Sequence, residues 1–395
     1  MKRIRIVVCV ILVLVMVGAL AGTAIASTPY TVDQSEAKTI VNKFVAKIST
    51  TNEFRDWKNA KICRVVVAYG IDERPSAYIF ELVKNENYTG YIVVSAKKTN
   101  YPILEFSKSK SPLMRAKKLG IEADRVYYLG AVMYFFREKG KYYNLNKKEI
   151  NFNKIKECVK EAMKYENVRK HLAKRITEAK DLWEKYSSNT KVMYKLTSTW
   201  LYNEKYISDV PAFWWDDGCA PTSAAMVLAY WGEHGYPKLH YPDWWYFEPT
   251  DVNSGTKFDD PSNEHTDLTE ELHYAMDTNN KTGDTWPWNI APGINKVCKN
   301  HGYSNWASVD YWVSWSDVTD EINASRPFVL AMLWGGTGSG HSQPYGNHVV
   351  TCVGYAIDVN TNEKFVMVQD TWDLGIHYLA FGNWLGAWEI KVNPN

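Results

Sequence analysis

Between residues 37 and 48, apolar side chains recur at the spacing of one helix face: Ala37, Ile40, Val41, Phe44, Val45 and Ile48. The period then falls. Ile62–Tyr69, Ala77–Val83 and Gly90–Ala96 are short runs rich in β-branched and aromatic residues, and each reads as a strand. Lys84–Thr89 is a polar stretch suited to a hairpin loop, and Pro102–Phe106 adds a fourth run. From about Ala123 the period returns to helical. Ile155, Cys158, Ala162, Tyr165, Val168, Leu172, Ile176, Ala179 and Trp183 mark one long apolar stripe, with Lys and Arg crowding the opposite face. Further on, Ala224–Trp231 is rich in helix-compatible residues, while the runs after His348 and from Phe365 read as successive strands.

Composition divides the chain where the pattern changes. The 395 residues sum to a formal charge of +2. Residues 27–199 hold 34 basic against 19 acidic side chains, however, and residues 200–395 hold 9 against 25. Fifteen of the 17 tryptophans lie from Trp200 onward. A basic helical face suits nucleic acid, an anionic membrane, plain solvation or an intramolecular partner, and the acidic half supplies the last of these. We therefore expect no nucleic-acid partner. Lys2, Arg3 and Arg5 precede an uncharged run from Ile6 to Gly22 and then Ala24-Ile25-Ala26, the plan of a secretory signal. The expected product is secreted or exposed at the cell surface, with no membrane contact beyond that segment unless it stays uncleaved as an anchor. Export leaves five cysteines, Cys63, Cys158, Cys219, Cys298 and Cys352. An odd number points either to a reactive thiol or to intermolecular pairing, unless all five are ordinary buried thiols.

The chemistry gathers in the acidic half. In Asp216-Asp217-Gly218-Cys219-Ala220-Pro221-Thr222-Ser223, Gly218 permits a tight turn and Pro221 suits the first turn of a helix. Cys219 then sits at a helix N-terminus, where unpaired N–H groups favour thiolate over thiol. Gly346-Asn347-His348-Val349-Val350 places His348 where a loop enters a strand, and the next strand ends in Gln369-Asp370-Thr371-Trp372. A cysteine at a helix start, then a histidine and an acid on successive strands, is the order that Cys–His–acid catalysis needs.

These motifs resemble the papain clan, and most closely its C39-like branch, related to double-glycine-leader peptidases. GCAPTSAAMVLAYW is similar to that branch's nucleophile helix, NHVVTCVGY to its histidine strand, and INASRPFVLAML to the helix end and strand before it. The resemblance implies Cys219 as nucleophile, His348 as base, Asp370 as the residue orienting it, and Trp372 as its shield. It also implies a papain-like α+β fold, with a Cys-bearing helix and an antiparallel sheet bearing His and Asp. One departure is plain: papain-like enzymes carry an oxyanion-hole Gln before the cysteine, and Phe213, Trp214 and Trp215 stand there instead. Trp214, Trp215 and Trp372 are the candidate substrate-binding side chains. Ala77–Ser107 is similar to the propeptide of streptopain-type cysteine peptidases, there also a hairpin ahead of a papain-like enzyme.

The expected organisation is a signal peptide (1–26), an α+β propeptide-like domain (27–115), a basic helical segment and connector (116–199) and a papain-like domain (200–395). The expected activity is cysteine peptidase hydrolysis of peptide or protein substrates, latent until the basic region, its own first partner, is released. Two other readings stay open: a non-catalytic binding module on the same scaffold, and a cell-wall peptide amidase or transpeptidase using the same triad. No cofactor or metal is expected. His265, Asp267, Glu270, Glu271 and His273 lack metal-ligand spacing beyond one pair, and the glycine-rich run 335–340 lacks the lysine of a phosphate loop.

Overall fold

The computed structural model describes residues 31–187, 202–215, 218–239, 266–333 and 348–394. The expected signal segment, the connector from residue 188 and the glycine-rich run lie outside the described residues. So do Trp244, Trp245 and His265.

The first helix, α1 (Gln34–Ile48), follows the expected stripe and is capped by Asp33, whose carboxylate accepts from the Glu36 N–H at 2.8 Å. Four antiparallel strands follow: β1 (Lys61–Tyr69), β2 (Pro75–Lys84), β3 (Asn87–Ser95) and β4 (Ile103–Ser107). The β2–β3 turn is tighter than the polar stretch suggests. Lys84 already pairs with Asn87, and Asn85 and Glu86 carry the positive φ of a two-residue hairpin turn. Next comes the short helix α2 (Pro112–Lys118), with Ser111 as cap and proline in its first turn.

Residues 125–150 correct the helical expectation. They form strands β5 (Arg125–Gly130), β6 (Met133–Glu138), β7 (Lys141–Tyr143) and β8 (Glu149–Ile150). Val126, Tyr127, Tyr128 and Tyr134, Phe135, Phe136 are two aromatic, β-favouring runs either side of the Gly130–Val132 turn, and tertiary packing buries all six. The long apolar stripe is likewise two helices, α3 (Phe152–Ala162) and α4 (Glu166–Ser187), separated by the turn at Met163–Tyr165.

The acidic half supplies β9 (Tyr202–Tyr206), α5 (Cys219–Glu233), α6 (Thr266–Ala275), α7 (Pro287–Asn300), β10 (Ala307–Tyr311), α8 (Trp315–Asn323) and β11 (Phe328–Leu333). Its last strands are β12 (His348–Asp358), β13 (Lys364–Gln369), β14 (Ile376–Ala380) and β15 (Gly386–Val392). All fifteen described strands join one sheet. Its order is β10-β15-β11-β12-β13-β14-β4-β3-β2-β1-β5-β6-β7-β8, with β9 on the second half of β12. One face of the acidic half is covered by α5, α6 and α7, through Ala224, Leu228, Leu272, Ile294 and Val297 against Val329, Ala331 and Ile390. This helix-on-antiparallel-sheet body is the expected papain-like α+β architecture.

The two halves meet edge to edge. β14 pairs antiparallel with β4 through His377–Ser107, Tyr378–Phe106 and Leu379–Glu105. Phe106 is the centre of the seam: its ring stacks on Tyr378 at 4.7 Å and meets Phe44, Phe54 and Phe365 edge-on at 4.9–5.4 Å. Because Phe106 is fully buried, Phe106→Ala is expected to cost about 3–5 kcal/mol. Chemical denaturation should show that loss, with Phe106→Leu costing markedly less.

Candidate active site

Cys219 is the first residue of α5 because Gly218 turns the chain into the helix. Gly218 has φ +131°, and a side chain there would meet the Gly283 carbonyl at 2.7 Å. The amides of Cys219 and Ala220, and that of Val349 on β12, face the sulfur and favour its thiolate. Burial outweighs them and, with Asp284 adding to it, pushes the thiol up to about 11. At neutral pH the group is therefore a thiol.

His348 opens β12 and is buried. Its Nε2–H donates to the main-chain carbonyl of Asp370 at 2.9 Å, which fixes the tautomer and leaves Nδ1 as a lone-pair base. Burial, reinforced by Arg115 and His377, brings the imidazole down to about 4 despite the opposing pull of Asp370. Trp372 lies flat on the ring, with centroids 4.1 Å apart and planes 13° from parallel. The expected shield is thus in contact with the expected base.

The carboxylate of Asp370, expected to orient His348, is engaged elsewhere. Its Oδ1 accepts from the amides of Trp372 (3.0 Å) and Asp373 (3.3 Å). Its Oδ2 accepts from Arg115 Nη1 at 2.9 Å, and His377 Nε2 stands 3.5 Å away. Asp370 thus touches the base through its backbone, while its side chain answers to Arg115 on α2, in the other half of the chain.

Arg115, Asp373 and His377 are the residues that sequence reasoning passed over. The Arg115 guanidinium also pairs with Asp373, and its Nε–H donates to the Lys110 carbonyl at 3.2 Å. Burial opposes the charge on Asp373, yet Arg115 and His377 hold its carboxyl well below the ordinary carboxylate range. Burial likewise opposes a charged His377, but Asp370 and Asp373 raise it above its usual value. His377 Nε2 lies 3.0 Å from both Asp373 Oδ1 and Arg115 Nη2, and its Nδ1 lies 3.0 Å from the Tyr91 hydroxyl, which donates to Glu105. Asp370, Asp373 and His377 bring ligand-type atoms within 4.8 Å of one another, but the guanidinium already fills that space. The one signal available beforehand was a polar residue, His377, inside an apolar strand.

The remaining candidates divide. Trp215 donates its main-chain N–H to the carbonyl of Thr371 at 2.6 Å, and its ring packs against Gly283, where a side chain would come within 2.6 Å. Trp214 is exposed, with Lys118 of α2 over its ring at 5.8 Å. Trp215 thus lies beside the Gly218–Gly283 contact that precedes Cys219, whereas Trp214 faces α2. Thr371, between Asp370 and Trp372, holds φ +67°, strained for a β-branched residue. The acidic group around His273 disperses: Glu271 pairs with His301 at 2.9 Å and His273 bonds Asn280 at 2.8 Å. Among the described cysteines no disulfide forms, and Cys352 is a buried thiol.

Comparison with known proteins agrees with this layout. Residues 207–391 match the model of the Peptidase_C39 like family, and residues 29–122 match that of the Spi protease inhibitor family. The C-terminal half is thus similar to C39-like peptidases, and the N-terminal part is similar to the Spi protease inhibitor family, which fits a pro-region. Among solved structures, a Bacillus anthracis protein described as a C39-like peptidase matches with 15% identity and a TM-score of 0.28. The match covers 49% of this chain and all of that one. No curated protein matches. Among the described residues no helix is long and apolar enough to cross a membrane.

Two outcomes follow from the buried charges. Arg115→Gln strands two buried carboxylates and is expected to cost about 3–5 kcal/mol in chemical denaturation. Arg115→Lys, which keeps the charge but not the fork, should recover part of that loss. Because His348 is held neutral, the folded state resists its protonation. Stability from this group is present above about pH 6.5 and is lost as pH falls towards 4, by up to about 3 kcal/mol. An NMR titration of the His348 ring should show its midpoint near pH 4 in the full-length protein.

Proposed function

We propose that the protein is an exported cysteine peptidase made as a zymogen, with Cys219, His348 and Asp370 as its catalytic residues. The observation that carries the reading is a helix-start thiol that faces the Val349 amide, one residue past a histidine whose Nε2–H is fixed by the Asp370 carbonyl, in the region that matches the C39-like peptidase family.

In the active form His348 Nδ1 takes the proton from Cys219 Sγ, and the thiolate attacks the carbonyl carbon of a peptide bond. The backbone N–H of Cys219 is one donor for the oxyanion. The tetrahedral adduct collapses to a thioester as His348 hands its proton to the leaving amine. Water, losing a proton to His348, attacks the thioester and releases the new carboxyl terminus, and Sγ regains the proton. The Asp370 carboxylate, freed from Arg115, stabilises the imidazolium, and Trp372 keeps water from the ring.

Latency follows from the charges of the full-length chain. With the thiol at about 11 and the imidazole at about 4, both partners are neutral at pH 7. Only about one thiol in ten thousand is ionised, and the carboxylate that favours an imidazolium is spent on Arg115. The inhibitor-like match over residues 29–122, which includes Arg115, supports assigning this part of the chain as the pro-region. The connector Ser187–Thr199, running from the end of α4 to the acidic half, is the proposed cleavage region.

A half-buried, neutral thiol also suits a non-catalytic module on the same scaffold. Alkylation separates the two. In the peptidase reading, Cys219 labels slowly at pH 6–7 in the full-length chain and fast once the N-terminal half is cleaved and removed. Cys219→Ala should then abolish peptide hydrolysis by the processed protein, a loss on the order of 10⁶ in kcat, with the fold intact by circular dichroism. A processed protein that neither labels quickly nor cleaves a peptide library is a binding module.

A further inference from the structure

At the far edge of the sheet, three carboxylates converge with too little positive charge among them. Asp310 on β10 and Glu389 on β15 are direct cross-strand partners, an arrangement in which like charges repel. Asp317, in the first turn of α8, completes the group, and one oxygen of each of the three lies within 4.8 Å of the others. Glu389 has no solvent-exposed side-chain surface, and neither of its carboxylate oxygens accepts a hydrogen bond. Its nearest cation is Lys391, whose ammonium is 3.7 Å from Oε2 and bonded to Asp310 instead. Glu321 gives no relief, since its oxygens are taken by the Arg326 fork at 2.7 and 2.8 Å.

A buried carboxylate without a hydrogen bond costs several kcal/mol and is retained where something else binds it. Three carboxylates against one ammonium leave two negative charges, the complement of one divalent cation. The ligand atoms are all oxygens, which excludes the nitrogen and sulfur preferences of zinc. Their mutual spacing fits a sphere with ligand distances of about 2.3–2.6 Å, the range of calcium. Asp310 is half exposed and gives the ion an entry from solvent.

We propose that Asp310, Asp317 and Glu389 form a calcium site that ties α8 to the β10–β15 edge of the sheet. None of the three belongs to the proposed catalytic machinery, so this site stands or falls independently of the peptidase reading. Bound calcium would leave Lys391 on Asp310 Oδ2 and the Ser314 amide on Asp317 Oδ2, and would take the other oxygen of each together with the unbonded carboxylate of Glu389, with water completing its shell.

The test uses the full-length protein stripped with EDTA. Calcium added in a calorimeter should bind with one site per chain, and saturating calcium should raise the unfolding midpoint by a few degrees. Terbium in its place should luminesce on excitation of Trp388, which neighbours Glu389 in sequence and packs on Tyr311 at 4.8 Å. Glu389→Gln and Asp310→Asn should each weaken binding tenfold or more. In EDTA, Glu389→Gln should be at least as stable as the wild type, since it removes the buried charge, so its loss of binding would not reflect misfolding. No calcium-dependent heat or midpoint shift at millimolar calcium would overturn the site. So would binding that survives unchanged in both variants, or a preference for zinc over calcium.

Discussion

The Arg115 guanidinium, buried between Asp370 and Asp373, is the constraint on which the rest of the molecule turns. A guanidinium withdrawn from water is tolerated only where fixed carboxylates replace its hydration, and those carboxylates belong to the other half of the chain. The pairing therefore sets the depth at which α2 docks. It also sets which edge of β14 meets β4, and which carboxylate is left for His348. Asp370 addresses the histidine with a main-chain carbonyl and the arginine with its side chain, so one residue lies in both the folding contact and the proposed catalytic apparatus.

Around that pair the halves are joined by less specific forces. Phe106, Tyr378, Phe54 and Phe365 make an aromatic seam, and three residue pairs of sheet continue across it. Further ion pairs between described residues join Lys47 to Asp358, and Lys148 to Asp284 at 3.4 Å. The opposite net charges of the two halves suit an attractive encounter. Once docked, buried aromatic area and hydrogen bonds such as Asn100–Asn383 at 3.0 Å and Tyr186–Glu363 at 2.9 Å join the halves, and the apolar part is insensitive to salt.

Much of this was legible in the sequence. The apolar stripe of α1, the runs of β1 to β4, the helix start at Cys219 and the strands after His348 and from Phe365 all stand where local pattern puts them. Local periodicity failed for β5 and β6, where aromatic residues either side of Gly130 also fit a helical stripe until packing decides. It failed for Arg115 for a different reason. In SPLMRAKK an arginine looks like any solvated helix charge, and its partners lie 255 and 258 residues further on. Glu389 was hidden in the same way, as one polar residue in GAWEIKV, until β10 brought Asp310 opposite.

The edge-to-edge seam also separates two events that are easily taken as one. Cutting the chain after α4 would break a covalent link but none of the β4–β14 hydrogen bonds, aromatic contacts or buried ion pairs. The excised N-terminal half would remain in place as a tight, dissociable subunit, and its departure would bare β14 as an unpaired edge beside Tyr378. In the proposed zymogen, activation would depend on dilution and on destruction of the fragment as much as on the first cleavage, and a crowded population would stay silent longer than a dispersed one.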